Sequence, residues 1–206
     1  PVASITPDYG KILKSNLSVI EAGLSEVQDM NFKTIEMKMV SSIRYLCDRL
    51  IKTAHHLNGK DNNFFVSYLP LMLNQEPQTL QEALQKILFY NSMFWQAGHW
   101  HNGLGRLDKI LLPYYMSDLE KHKLDKHAAK SLIKEFCLLL NRDIEAKSGF
   151  LKGDTGQYIL LGGTDGNGDE IQNELTEIFL DVISDIHKPD PKLILRANNN
   201  TSTTIW

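Results

Sequence analysis

GQYILLGGTDGNGDEIQNELTEIFLDVISDIHKPDPKLILR, residues 156–196, decides the fold class. Gln157–Leu161 is a short apolar run bounded by glycine, which reads as a buried strand. Gly162 to Asp169 is a loop rich in glycine and aspartate. The period then changes. From about Ile171 to His187, Leu175, Phe179, Val182 and Ile186 recur at steps of three and four, the mark of a helix, and Pro189 and Pro191 end it. Lys192–Arg196 is a second strand. A strand, a helical crossover and another strand imply parallel pairing, and hence an α/β architecture.

Upstream the chain is helical. Thr6-Pro7-Asp8 is a helix start: a capping hydroxyl, a proline at the first helical position, then an acid near the positive end of the dipole. Tyr9, Leu13, Leu17, Ile20, Leu24 and Val27 continue it as one apolar face. Phe32, Ile35, Met39, Ile43, Leu46, Leu50, Ala54 and Leu57 form a second, longer face, stopped by Asn58-Gly59. Residues 61–76 connect, and Pro70 opposes a single long helix there. Thr79-Leu80-Gln81-Glu82 is a capping box that opens a third helix, closed by Gly98. Lys126 to about Ala146 is a fourth, with Leu132, Phe136, Leu139 and Leu140 on its apolar side. The expected organisation is one partial domain over 1–206: a mainly helical layer over 1–147 and a strand-helix-strand portion over 156–198.

Composition excludes more than it selects. The 206 residues are 42% hydrophobic and 23% charged, with a formal net charge of −3, enough chain for a real core. No basic stripe with interleaved aromatics suggests nucleic acid. No apolar run approaches a membrane span, and no signal-peptide pattern opens the chain. Cys47 and Cys137 lie in helical patterns without a CxxC partner or neighbouring base. They read as buried structural thiols in a reducing cytosol rather than as a disulfide or a nucleophile. The chain opens on Pro1 and stops at Trp206 without a charged tail, so a segment of a longer protein is expected.

Residues 97–120, AGHWHNGLGRLDKILLPYYMSDLE, gather unusual residues. They read as a helix end, a turn and the start of another helix, broken by Pro113. His99-x-His101 lacks a third ligand at metal spacing, so structural histidines are the plainer reading. Gly103-x-Gly105 lacks the third glycine, the preceding strand and the lysine of a phosphate loop, and reads as a tight turn. Arg106 suits either a bidentate carboxylate ligand or an intrachain pair. Asp165-Gly166-Asn167-Gly168-Asp169 imitates the start of a calcium loop. Glu170 stands where that loop needs glycine, and Thr176 where it needs a bidentate acid, so a polar turn is the better reading.

Taken together, the segments resemble a family. GLGRLDKILLPYYMSDLE resembles the G-R-x-D-x-x-L-x-P-[FY]-Y-x-x-D segment of glycyl radical enzymes, the pyruvate formate-lyase family. GQYILLGGTDGNGDEIQNELTEIFLDVI resembles the family's strand, Gly-Gly turn and Asn-Glu-Leu helix. KPDPKLILRANNNT resembles its P-[DQ]-P-x-L-x-[VL]-R strand, and ITPDYGKIL its P-D-Y-x-K-[VI]-L helix start. The four stand in the family's order.

The resemblance implies part of a ten-stranded α/β barrel surrounded by helices. It implies a lyase, dehydratase or decarboxylase of anaerobic metabolism that acts on a small organic substrate through a thiyl radical. The parent enzyme would carry a glycyl radical installed by an S-adenosylmethionine-dependent activase. Its partners would be the remainder of the parent enzyme, that activase and the small-molecule substrate. Nucleic acid and membrane are not expected, the parent is commonly a homodimer, and the location is cytoplasmic. The family's radical cysteine lies beyond the strand matched by Lys192–Arg196 and its radical glycine further still, so neither is in this chain, and Cys47 and Cys137 fall in the wrong segments. No catalytic residue, metal ligand or cofactor of its own is therefore expected here, and the chain alone should be inactive. In dehydratases and decarboxylases of the family a Gly-His-Ser step before Gly-Arg-x-Asp supplies pocket groups. Gly98-His99 matches it, and Trp100 replaces the serine. His99 and Trp100 are thus the expected substrate-binding residues. Arg106 and Asp108 are expected to be architectural, fixing the bend against neighbouring helices. The alternative reading is a free-standing, non-catalytic binding or scaffold protein derived from the family's helical layer.

Overall fold

The structure, a computed structural model, describes residues 5–56, 68–70, 72–99, 101–145, 156–198 and 201. The elements are α1 (Tyr9–Lys14), α2 (Leu17–Gly23), a 3-10 turn (Leu24–Glu26), α3 (Met30–His56), α4 (Leu80–Gln96), β1 (Gly103–Arg106), α5 (Leu107–Glu120), α6 (Lys126–Glu145), β2 (Tyr158–Gly162), α7 (Glu174–Ile186) and β3 (Lys192–Arg196). They form two compact units, one of Pro1–Gly10 with Gln78–Trp206 and one of Lys11–Pro77.

The larger unit is α/β, as expected. Its sheet runs β1-β2-β3, parallel throughout, with Tyr158 opposite Lys192 and Leu160 opposite Ile194. The two strands read from sequence form with that pairing. β1 is an addition: the turn expected at Gly103-x-Gly105 is a strand, and it takes in Arg106, expected in the first turn of the next helix. Its two glycines carry no strand propensity, and pairing with β2 supplies what the side chains do not. Ile5 pairs in parallel with Asn102 beyond it, its N–H donating to His101 O at 3.0 Å. The helix expected from Thr6-Pro7-Asp8 accordingly begins only at Tyr9.

One face of the sheet carries Ile159 and Leu161, both fully buried, and α5 packs on β2. α4 lies on α5 and α6, and α6 on α7. The buried stripe of α6 is Ala129, Ile133, Phe136, Cys137 and Leu140, turned slightly from the stripe expected. Pro113 does not break its helix, which runs through it to Glu120. A proline inside a helix costs about 3 kcal/mol. Burial of Leu107, Leu111, Tyr114 and Tyr115 on both sides offsets that cost. α7 begins at Glu174, three residues later than expected, because Ile171 is engaged with Gly163 O at 2.9 Å.

In the smaller unit the first expected helix is divided. Asn16 caps α2, its Oδ1 accepting from Ser18 N at 2.8 Å while its Nδ2 donates to Asn74 O. A side chain that caps its own backbone interrupts the helix before it. α3 forms as expected, but Phe32, Ile35 and Met39 are exposed, and the buried positions are Val40, Cys47 and Ala54. The stop expected at Asn58-Gly59 lies outside the described residues.

A chain of buried amides fixes the larger unit. Tyr9 Oη donates to Asn102 Oδ1 at 3.4 Å, and Asn102 Nδ2 to Asn91 Oδ1 at 2.6 Å. Asn91 Nδ2 donates to Gln157 Oε1 at 2.9 Å, and Gln157 Nε2 to Leu140 O at 3.0 Å. Asn102, Asn91 and Gln157 are all buried, so their amides depend on one another. Asn102→Ala should therefore lower stability by about 2–4 kcal/mol in urea unfolding, since it strips partners from two buried groups. A loss of only a few tenths would show that the chain of amides contributes little.

Candidate functional site

The strongest convergence of polar groups lies at the carboxyl end of the sheet, where open α/β folds hold their ligands. β1 ends at Arg106, whose Nη2 donates to Gly162 O at 2.7 Å and Nη1 to Thr164 O at 3.0 Å. Two residues on, Asp108 lies in the first turn of α5 and is fully buried. Its carboxylate accepts from Gly162 N at 2.6 Å, Thr176 Oγ1 at 2.8 Å and Lys109 N at 2.8 Å. Its main-chain oxygen accepts from Asn173 Nδ2 at 3.2 Å. Burial, the largest influence, pushes the Asp108 carboxyl above the ordinary carboxylate range; the three donors and the Arg106 charge pull the other way.

Gly162 and Gly163 both adopt the left-handed conformation, with φ of 63° and 83°. A Cβ at Gly162 would lie 3.0 Å from Arg196 O, and one at Gly163 3.0 Å from Arg196 Cβ. Only glycine lets β3 approach the end of β2 this closely. The loop beyond folds back on itself: Thr164 pairs with Glu170, and Glu170 Oε2 accepts from Asn198 Nδ2 at 2.7 Å. The Asp165 carboxylate is taken up by the Asn167 and Asp169 N–H groups, which hold it below its usual range. Among the described residues no group of three or more His, Cys, Asp or Glu side chains is placed to hold a metal.

α7 starts from the same place. Asn173 Oδ1 accepts from Leu175 N at 2.9 Å, and Asn173 N donates to Thr176 Oγ1 at 3.1 Å. Thr176 thus completes the helix cap and still donates to Asp108. Tyr115 of α5 donates to Glu174 at 2.8 Å, and Lys126 of α6 lies 3.1 Å from the same carboxylate. The Tyr115 phenol is pushed up by burial and then by Glu174, while Glu174 is drawn down by Tyr115 first and Lys126 second.

The site residues expected from sequence separate. Arg106 and Asp108 meet at the Gly162 turn, a strand end rather than a helix face, and both are occupied there by partners within the chain. His99 is half-buried, and its N–H donates to Phe94 O at 2.9 Å at the end of α4. It precedes β1, so it stands at the opposite end of that strand from Arg106. Trp100 lies outside the described residues. His101 packs so tightly on Gly156 that a Cβ there would come within 2.4 Å of its Nδ1. Cys47 and Cys137 are buried, and burial pushes their thiols up to about 11 and about 12. Thr176 and the Gly162 N–H are the partners that sequence reasoning missed. The Asn-Glu-Leu-Thr run carries the signal of a cap with a hydroxyl three residues on, though not where that hydroxyl points.

The second face of the sheet is less covered. Tyr158 and Leu160 alternate with the buried Ile159 and Leu161, and Ile194, opposite Leu160, is 43% exposed. Lys192 Nζ stands 5.4 Å from the Tyr158 ring centre on this face.

The family described as pyruvate formate lyase-like matches residues 66–206. The chain is 27% identical over 132 residues to a (2S)-3-sulfopropanediol dehydratase of Klebsiella oxytoca, covering 61% of this chain and 16% of that protein. It is 27% identical over 142 residues to the glycyl radical subunit of a 4-hydroxyphenylacetate decarboxylase of Clostridioides difficile, covering 66% and 16%. Among solved structures, a glycyl radical enzyme from Archaeoglobus fulgidus superposes with a TM-score of 0.81 at 17% identity, over 99% of this chain and 30% of that one. The B12-independent glycerol dehydratase of Clostridium butyricum gives 0.77 at 20% identity, over 98% and 29%. The chain thus spans about 16% of the length of these curated relatives and about 30% of these solved chains.

The buried acid has a pH signature. A carboxyl raised above its unfolded value stabilises the fold fully below the ordinary carboxylate range, and that contribution is lost as pH rises through the raised value. Urea unfolding of the wild type and Asp108→Asn from pH 4 to 7.5 should therefore show the wild type losing stability relative to the variant, by up to about 1.4 kcal/mol per pH unit while Asp108 titrates. The opposite slope would mean that the donors and Arg106 outweigh burial.

Proposed function

The chain belongs to the pyruvate formate lyase-like family, and from that premise we propose that it works as part of a longer glycyl radical dehydratase or decarboxylase, within one pyruvate formate-lyase-like domain. The family match over residues 66–206 carries this reading. The substrate is a small organic molecule, with short diols and hydroxyarylacetates, the compounds named for the relatives, as the first classes to try. The reaction proceeds by hydrogen abstraction, and a glycyl radical installed by a radical S-adenosylmethionine activase supplies the one-electron chemistry. The protein works in the cytoplasm, and the complete enzyme is a homodimer.

The chain's own residues have a supporting part. Neither cysteine fits the abstracting thiol, since both are buried within helices, away from any substrate. Arg106 and Asp108 are architectural: they fix the strand ends rather than meet substrate. The less covered face of the sheet, with Tyr158, Leu160 and Ile194, forms a wall of the pocket, and His99 and Trp100 bind substrate. Alone, the 206 residues are inactive.

The test is anaerobic expression of the full reading frame containing these residues, together with a radical S-adenosylmethionine activase. Electron paramagnetic resonance should detect a glycyl radical, and propane-1,2-diol, glycerol, 3-sulfopropane-1,2-diol and 4-hydroxyphenylacetate should be assayed for turnover. His99→Ala should lower kcat/KM about 10- to 100-fold, the loss of one hydrogen bond to substrate, with the radical signal unchanged. Absence of any radical signal from a well-folded full-length protein would contradict the assignment. Turnover by the 206-residue chain alone would contradict the supporting role and favour a different chemistry.

A further inference from the structure

We draw no further inference here: the strongest candidate, the less covered face of the parallel sheet where Lys192 stands over the Tyr158 ring beside Ile194, belongs to the pocket wall already proposed, and the Lys192 charge is answered by buried Asp190 at 4.0 Å, which leaves no separate ligand chemistry to assign.

Discussion

A carboxylate with no access to water must find its hydrogen bonds within the protein or lose its charge. Asp108 finds three, from the main chain of Gly162, the hydroxyl of Thr176 and its own neighbour Lys109. These donors belong to the end of β2, the first turn of α7 and the first turn of α5. One side chain therefore fixes where the strand stops, where the crossover helix begins and how the preceding helix leaves the sheet. Arg106 completes the arrangement from the other side by donating to Gly162 O. Both polar groups of a single glycine are thus held by two residues that flank the junction of β1 and α5. The left-handed backbone of Gly162 and Gly163 belongs to the same constraint, because it is what allows β3 to close against β2. The junction is geometrically specific, with burial and hydrogen bonding acting in opposite directions on the same acid.

The strand-helix-strand portion was legible because each part carries its own signal. Tyr158–Leu161 and Leu193–Leu195 are continuous apolar runs, and α7 has a clean three-four period with a polar cap. β1 was not legible. Gly103-Leu104-Gly105-Arg106 offers one apolar side chain, and its strand geometry comes from the neighbour it pairs with. The split between α1 and α2 was hidden because Tyr9, Leu13, Leu17 and Ile20 keep the helical period across it, while the break comes from one asparagine side chain. Pro113 misled in the other direction: a local rule favoured a break, and packing of the surrounding leucines and tyrosines overrode it. In α3 the period marked an apolar helix correctly, yet Phe32, Ile35 and Met39 are exposed, since a period says which residues share a face and not what covers it.

The candidate site divides along the same line. Gly105, Arg106 and Asp108 were recognisable as a motif, but apart from the adjacent Lys109 the side-chain partners of Arg106 and Asp108 lie more than fifty residues away in sequence, and no spacing rule connects them. What the motif does locally follows from the geometry: it ties main chain to main chain. This makes the junction a poor place to look for reacting groups and a good place to look for the reason the fold holds its strand ends in place. Of the residues proposed for substrate, His99 precedes β1, and Tyr158, Leu160 and Ile194 lie on the less covered face of the sheet.

The central claim is that the Asp108 carboxylate and its partners act as a unit. A double-mutant cycle on Asp108→Ala and Thr176→Val, read by urea unfolding at one pH, tests it most directly. The account predicts a coupling energy of about 1–3 kcal/mol, because removing either partner already disables the other. Additivity within about 0.5 kcal/mol would contradict it, and the convergence at Gly162 would then be a consequence of the fold rather than one of its supports.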